Sequence, residues 1–118
     1  SSLVMDYARA LEEVENDAAL LREMIDRFAG LTRDQLLGMR NALAAQDLET
    51  VRKEAHALHG GAANLAARPL ANAAKKLEES ANDGDARLIS ERLDRLRQEC
   101  ERFQAFAASL AARGAERA

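Results

Sequence analysis

His56 is the side chain best placed to do chemistry in this sequence. Around it, Leu48, Val51, Ala55, Leu58, Ala62 and Leu65 recur in alternating three- and four-residue steps, the pattern of one apolar seam along a helix. At about 100° per residue, His56 points about 130° away from the centre of that seam, and Lys53, Gly60 and Asn64 point outward with it. A core histidine would sit in the seam. This one faces water. Gly60 and Gly61 each cost about 1 kcal/mol relative to alanine inside a helix, so their presence predicts that something must come close. An accessible imidazole on a rigid helix can serve as a nucleophile or a metal ligand, and is suited to meeting a reactive group on another protein.

The elements that must position this histidine read as helices throughout. Val4, Tyr7, Ala8 and Leu11 predict a short helix over roughly residues 4–13. Asn16-Asp17 offers the N-cap of a long helix with the inner face Leu21, Ile25, Phe28, Leu36, Met39 and Leu43, running to about residue 45. Gly30 and Thr32 are its weak points, where a kink is expected. Asp47 caps the histidine-bearing helix, roughly 47–66. Arg68-Pro69 marks the next break, since the residue before proline is pushed out of helix and proline suits a first helical turn. Leu70, Ala73, Ala74, Leu77 and Ala81 line the helix that follows, up to a turn at Asn82-Asp83-Gly84-Asp85. The last helix carries Ile89, Leu93, Leu96, Cys100, Phe103, Ala107 and Leu110 on one face and is expected to end near Gly114. Short connections between amphipathic helices predict an all-α, antiparallel up-down-up-down four-helix bundle with a short extra N-terminal helix across one end. The expected organisation is one domain over 1–118, with the bundle at about 17–114.

Composition narrows the function. The 118 residues carry 17 Lys+Arg against 20 Asp+Glu, a net charge of -3, so no basic face is left over for nucleic acid. No apolar run approaches the ~20 residues that span a bilayer, and no membrane contact is expected. Cys100 is the one cysteine, which excludes an internal disulfide and favours a reducing, cytoplasmic setting. No glycine-rich nucleotide loop, P-loop pattern or acidic magnesium cluster lies near His56, so the chain is not expected to use ATP itself.

The segment Ala55-His-Ala-Leu-His-Gly-Gly-Ala-Ala-Asn-Leu-Ala-Ala-Arg-Pro-Leu70, followed by Leu77-Glu78, resembles the signature of histidine-containing phosphotransfer (HPt) domains. That signature has the histidine, a hydrophobic residue two on, usually lysine then glycine, small residues, and a later Leu-Glu in the next helix. The long helix with Phe28 and the Ala-Ala-Gln-Asp47 turn resemble the family too, and the likeness covers nearly the whole chain. It implies that His56 carries a phosphoryl group between the aspartates of response-regulator receiver domains in a two-component phosphorelay. It also implies that Gly60 gives the incoming receiver clearance, and that magnesium and aspartate come from the partner. A hybrid sensor histidine kinase is a further implied partner. The chain is then a carrier without kinase activity and with no cofactor of its own.

Two positions depart from the family pattern. His59 stands where lysine is usual, and neutralises phosphate charge only when protonated. It lies about 60° round the helix from His56, close enough to reach a phosphoryl oxygen, but it also flanks the core seam as a half-buried spacer would. Ala66 stands where glycine often ends the helix. Arg52 and Lys53, one turn before His56, are solvated residues or cations that steer an acidic receiver site and hold the phosphoryl group. Asn64, two turns on, is a similar candidate. Leu20, Met24 and Leu31 form a second apolar stripe, covered in part by Tyr7 and Leu11. With Ala63, its uncovered part is the expected docking patch for a receiver helix. Two rivals stay open at this point: a weak surface metal chelate at His56 and His59, and a helical adapter without phosphotransfer.

Overall fold

The computed structural model describes residues 3–117; residues 1, 2 and 118 of the expected domain lie outside them. Five helices follow one another: α1 (Tyr7–Glu13), α2 (Ala18–Ala44), α3 (Leu48–Asn64), α4 (Arg68–Asp83) and α5 (Ala86–Arg117). Helix α3 packs on α2 and α4, and α5 closes the bundle against both. The short α1 rests on α2.

Aspartates start four of the helices, at Asp17 and Asp47 as the spacing predicts. Asp6, Asp17, Asp47 and Asp85 accept the backbone N–H three residues on, from Arg9, Leu20, Thr50 and Leu88, at 3.0–3.2 Å. The Thr50 hydroxyl also donates to Asp47, at 2.6 Å. That bond, followed by the amide bond, holds the Asp47 carboxyl below the usual carboxylate range. Its share of stability is therefore present above the unfolded value and fades as pH falls through the lowered one. Helix α4 has no side-chain cap and starts with Pro69 in its first turn.

The helix ends are less conventional. Asn16 N–H bonds to Leu11 C=O, Asp47 N–H to Ala42 C=O, and Ala67 N–H to Ala62 C=O, at 2.8–2.9 Å. Each is the long bond of a Schellman motif, and each requires a left-handed residue just before it. Glu15, Gln46 and Ala66 take that role at φ of 54°, 60° and 53°. Among the described residues, only at Gly84 is the left-handed residue a glycine. Ala66 has no polar side chain to compensate, so Ala66→Gly should stabilise the fold by roughly 1 kcal/mol. The expected result is a higher urea midpoint at an unchanged slope.

Three expectations are corrected. Helix α2 runs without interruption through Gly30 and Thr32. Thr32 is buried, donates its hydroxyl to Ala29 C=O at 2.7 Å and accepts from Gln104 Nε2 at 3.0 Å. Its polar group is thus satisfied without opening the helix. Helix α4 continues through Asn82 and Asp83, leaving only Gly84 and Asp85 as the turn. Helix α5 passes Gly114 and reaches Arg117, since a single glycine in the last turns of a helix costs only about 1 kcal/mol.

The core follows the predicted seams. Leu21, Ile25, Met39, Val51, Leu58, Leu70, Leu77, Ile89, Leu96 and Phe103 are almost completely buried. Leu43 and Leu110, expected inside, are only partly so. Phe28 meets Phe103 edge to face, with ring centroids 5.4 Å apart. Cys100 lies among them, and burial pushes its thiol pKa up to about 12, so it is inert as a nucleophile.

Candidate functional site

The Asp47 cap and the Val51–Ala55–Leu58–Ala62 seam fix the rotation of α3, and the rotation puts His56 outside. Its side chain is 68% exposed. The ring is nevertheless held: Nδ1 lies 2.9 Å from Glu78 Oε2 on α4, and the Glu78 side chain is itself only 19% exposed. An ionised carboxylate can only accept, so Nδ1 carries the hydrogen and the Nε2 lone pair points away from the bundle. Helix α4 is anchored behind this contact by Arg92 Nη1, which donates to Lys76 C=O at 2.7 Å. Ser80 adds bonds to Lys76 and Leu77 C=O. Helical period alone does not pair His56 with Glu78. The Leu77-Glu78 dipeptide carries the signal, because Leu77 in the core leaves Glu78 on the edge toward α3.

The other expected phosphoryl-site residues are placed unevenly. Lys53, Gly60 and Asn64 are exposed on the same outward stripe as His56. A Cβ built on Gly60 would meet nothing within 4 Å. Gly60 is therefore not explained by internal packing. Gly61 is: a Cβ there would come within 2.5 Å of Phe28 Cε1. Its glycine is required by the approach of α2, which corrects the expectation that both glycines await a visitor. His59 is half-buried and faces a polar cleft of about 570 Å³ lined by Arg9, Glu13, Arg68 and Asn72. Arg52 is bound to Glu49, through Nε at 3.1 Å and Nη2 at 2.5 Å.

Comparison with known proteins settles the family. The Hpt domain family matches residues 23–106, which take in most of α2, all of α3 and α4, and α5 as far as Phe106. The chain belongs to the Hpt domain family. A solved structure of histidine-containing phosphotransfer protein B (HptB) from Pseudomonas aeruginosa PAO1 is similar, with a TM-score of 0.85 and 25% identity over 96% of this chain and 98% of that one. No match was found among curated proteins.

In this Hpt domain a groove of about 620 Å³ lies between α2 and α3, two turns beyond His56. Met24, Phe28, Leu31 and Leu65 line it, Gly61 forms part of its floor, and Arg27, Asp34 and Asn64 rim it. Tyr7, Leu11 and Met24 are partly buried against the core, as expected of a stripe that α1 covers in part. Leu20 and Leu31 remain 42% and 48% exposed; Ala63 is exposed too, but it lines the polar cleft with His59 and not the groove. Among the described residues no group of three or more His, Cys, Asp or Glu could hold a metal ion, and no helix is long and apolar enough to cross a membrane.

Proposed function

We propose that the chain is a phosphohistidine carrier that exchanges a phosphoryl group with receiver-domain aspartates through His56 Nε2. The observation that carries this reading is the exposed ring whose Nδ1 is held by Glu78. Holding Nδ1–H on the carboxylate leaves Nε2 as the nucleophilic nitrogen and fixes the line along which it attacks. In the forward step the Nε2 lone pair forms the N–P bond as the P–O bond to the receiver's aspartate breaks, and that aspartate leaves as a carboxylate. The proton on Nδ1 stays between ring and Glu78, which stabilises the positive charge that develops on the imidazole. The reverse step returns the phosphoryl group by the same route.

Phosphoryl transfer depends mostly on positioning and charge stabilisation. Magnesium and the aspartate are assigned to the receiver, and the chain works without a cofactor or kinase activity of its own. The apolar groove at Met24 and Leu31, with the exposed Leu20 and Ala63 outside it, takes the receiver's docking helix, and bare Gly60 lets it come down beside His56. Lys53 and Asn64, on the same stripe, face the incoming acidic site. A hybrid sensor kinase carrying a receiver would be served by the same surface.

Incubation with a phosphorylated receiver should give a phosphate on the chain that is acid-labile and alkali-stable, attached at Nε2 by ¹⁵N NMR. An unlabelled chain would leave a helical adapter instead. His59 can offer one hydrogen bond from its cleft to a charged phosphoryl oxygen, worth about 1.5–3 kcal/mol. His59→Ala should therefore slow acceptance by roughly 10- to 100-fold without abolishing it, and a complete loss would move His59 to the centre of the site.

A further inference from the structure

The polar cleft beside His59 does not include His56, and Asn64 alone joins it to the apolar groove. Three elements wall it: α1, the last turns of α3 and the start of α4. The walls are fixed. Asp6 N–H bonds to Ala66 C=O at 2.9 Å, and Met5 and Ala10 are buried, so α1 is fastened over the α3–α4 junction. Arg9 lines the cleft from α1 and Arg68 from α4. Among the described residues neither guanidinium has a hydrogen bond or an ion pair, and Glu13 beside them is paired with neither. Arg52, Arg97 and Arg102, by contrast, are each bound to carboxylates. Two uncommitted guanidiniums facing one carboxylate leave a net positive charge, and the planar arginine fork matches the oxygens of a phosphate.

A bare phosphate does not account for the rest of the cleft. Its volume of about 570 Å³ lies within the range of about 300–1,000 Å³ usual for small-molecule sites, and phosphate alone would leave most of it empty. Asn64 and Asn72 bring carboxamides that both donate and accept, and an ionised Glu13 only accepts. That set suits hydroxyl groups. The remaining lining is alanine, with no aromatic ring on which a nucleobase could stack. We propose that the cleft is a binding site for a sugar or polyol phosphate monoester. Arg9 and Arg68 hold the phosphate, a ring N–H of His59 donates to it, and Glu13, Asn64 and Asn72 take the hydroxyls. The proposal goes beyond the phosphocarrier reading and does not depend on it.

The test is a titration of the intact, unphosphorylated chain with glucose-6-phosphate, followed by ¹⁵N NMR. Saturable shifts should gather at Arg9, Glu13, His59, Arg68 and Asn72. Arg9→Gln and Arg68→Gln should each weaken binding about 10- to 100-fold, the worth of one hydrogen bond between charged groups. Inorganic phosphate should bind at least about tenfold more weakly than the ester, because it leaves the hydroxyl partners unused. Glucose should not bind, and AMP should do no better than inorganic phosphate. Glu13→Gln should narrow the gap between ester and phosphate, since it removes a hydroxyl acceptor and a repulsion of the anion together. Both arginines are exposed, so their variants should fold, as circular dichroism checks; Asn72→Ala, also exposed, replaces either one that does not. Shifts that rise without saturating, equal affinities for phosphate and ester, or unchanged binding in folded Arg9→Gln and Arg68→Gln would each overturn the proposal. So would tighter binding of AMP than of the ester, or capture of a polyglutamate peptide by a chain that ignores the ester.

Discussion

His56→Gln should abolish phosphate labelling by a phosphorylated receiver and leave the fold almost untouched. Glutamine has no nitrogen that can attack phosphorus, so the loss is complete and not graded. Because the ring is 68% exposed and contributes nothing to the core, the stability change should stay within about 0.5 kcal/mol. The ring's hydrogen bond to Glu78 goes with it, and a glutamine amide can partly replace that bond. Labelling by radioactive phosphate and a urea melt on the same preparation check both halves. Labelling that survives in His56→Gln but is lost in His59→Gln would transfer the reactive role to His59.

The two neighbouring glycines should separate docking from packing. Gly60→Ala should stabilise the chain by up to about 1 kcal/mol, since the added Cβ meets nothing within 4 Å. Gly61→Ala gains the same helix propensity but drives a methyl into the Phe28 ring. That ring packs edge to face on Phe103, a contact it would weaken by moving aside. Overpacking of this kind costs about 1–3 kcal/mol, so the net effect should be destabilising. Gly60→Gln should keep the fold yet slow transfer by up to about 10²-fold, the size of effect that a misplacement of about 1 Å can have. Normal transfer in Gly60→Gln would remove the glycine from the docking surface. Chemical denaturation of both alanine variants and single-turnover transfer with Gly60→Gln supply the measurements.

Much of the fold is legible in the residues. The apolar seams, the aspartate caps at Asp17, Asp47 and Asp85, and the outward direction of His56 follow from helical period and capping chemistry alone. What escapes such reasoning depends on contacts between helices or on backbone energetics. The breaks after α1, α2 and α3 are made by Glu15, Gln46 and Ala66 in left-handed conformation, and nothing in those residue types announces it. The break expected at Thr32 does not occur, and the Gln104 side chain that shares its hydroxyl comes from seventy-two positions away. Gly60 and Gly61 look alike in the sequence, and only the position of Phe28 tells them apart. Glu78 is visible as half of a dipeptide, but its hold on His56 appears only when α3 and α4 are placed side by side.

His56 stands open on the outward face of α3: its side chain is 68% exposed and lines neither the polar cleft nor the apolar groove. A phosphoryl group on Nε2 would therefore stand in bulk water, with no wall to shield the N–P bond. The lifetime of the loaded state would be set by the intrinsic hydrolysis of phosphohistidine, and the chain would store the group without guarding it. For a phosphocarrier of this kind, fidelity would then have to come from timing, with a docked receiver removing the phosphoryl group faster than water does. The residence time of the partner in the groove would decide how much of the signal is delivered and how much is lost as free phosphate.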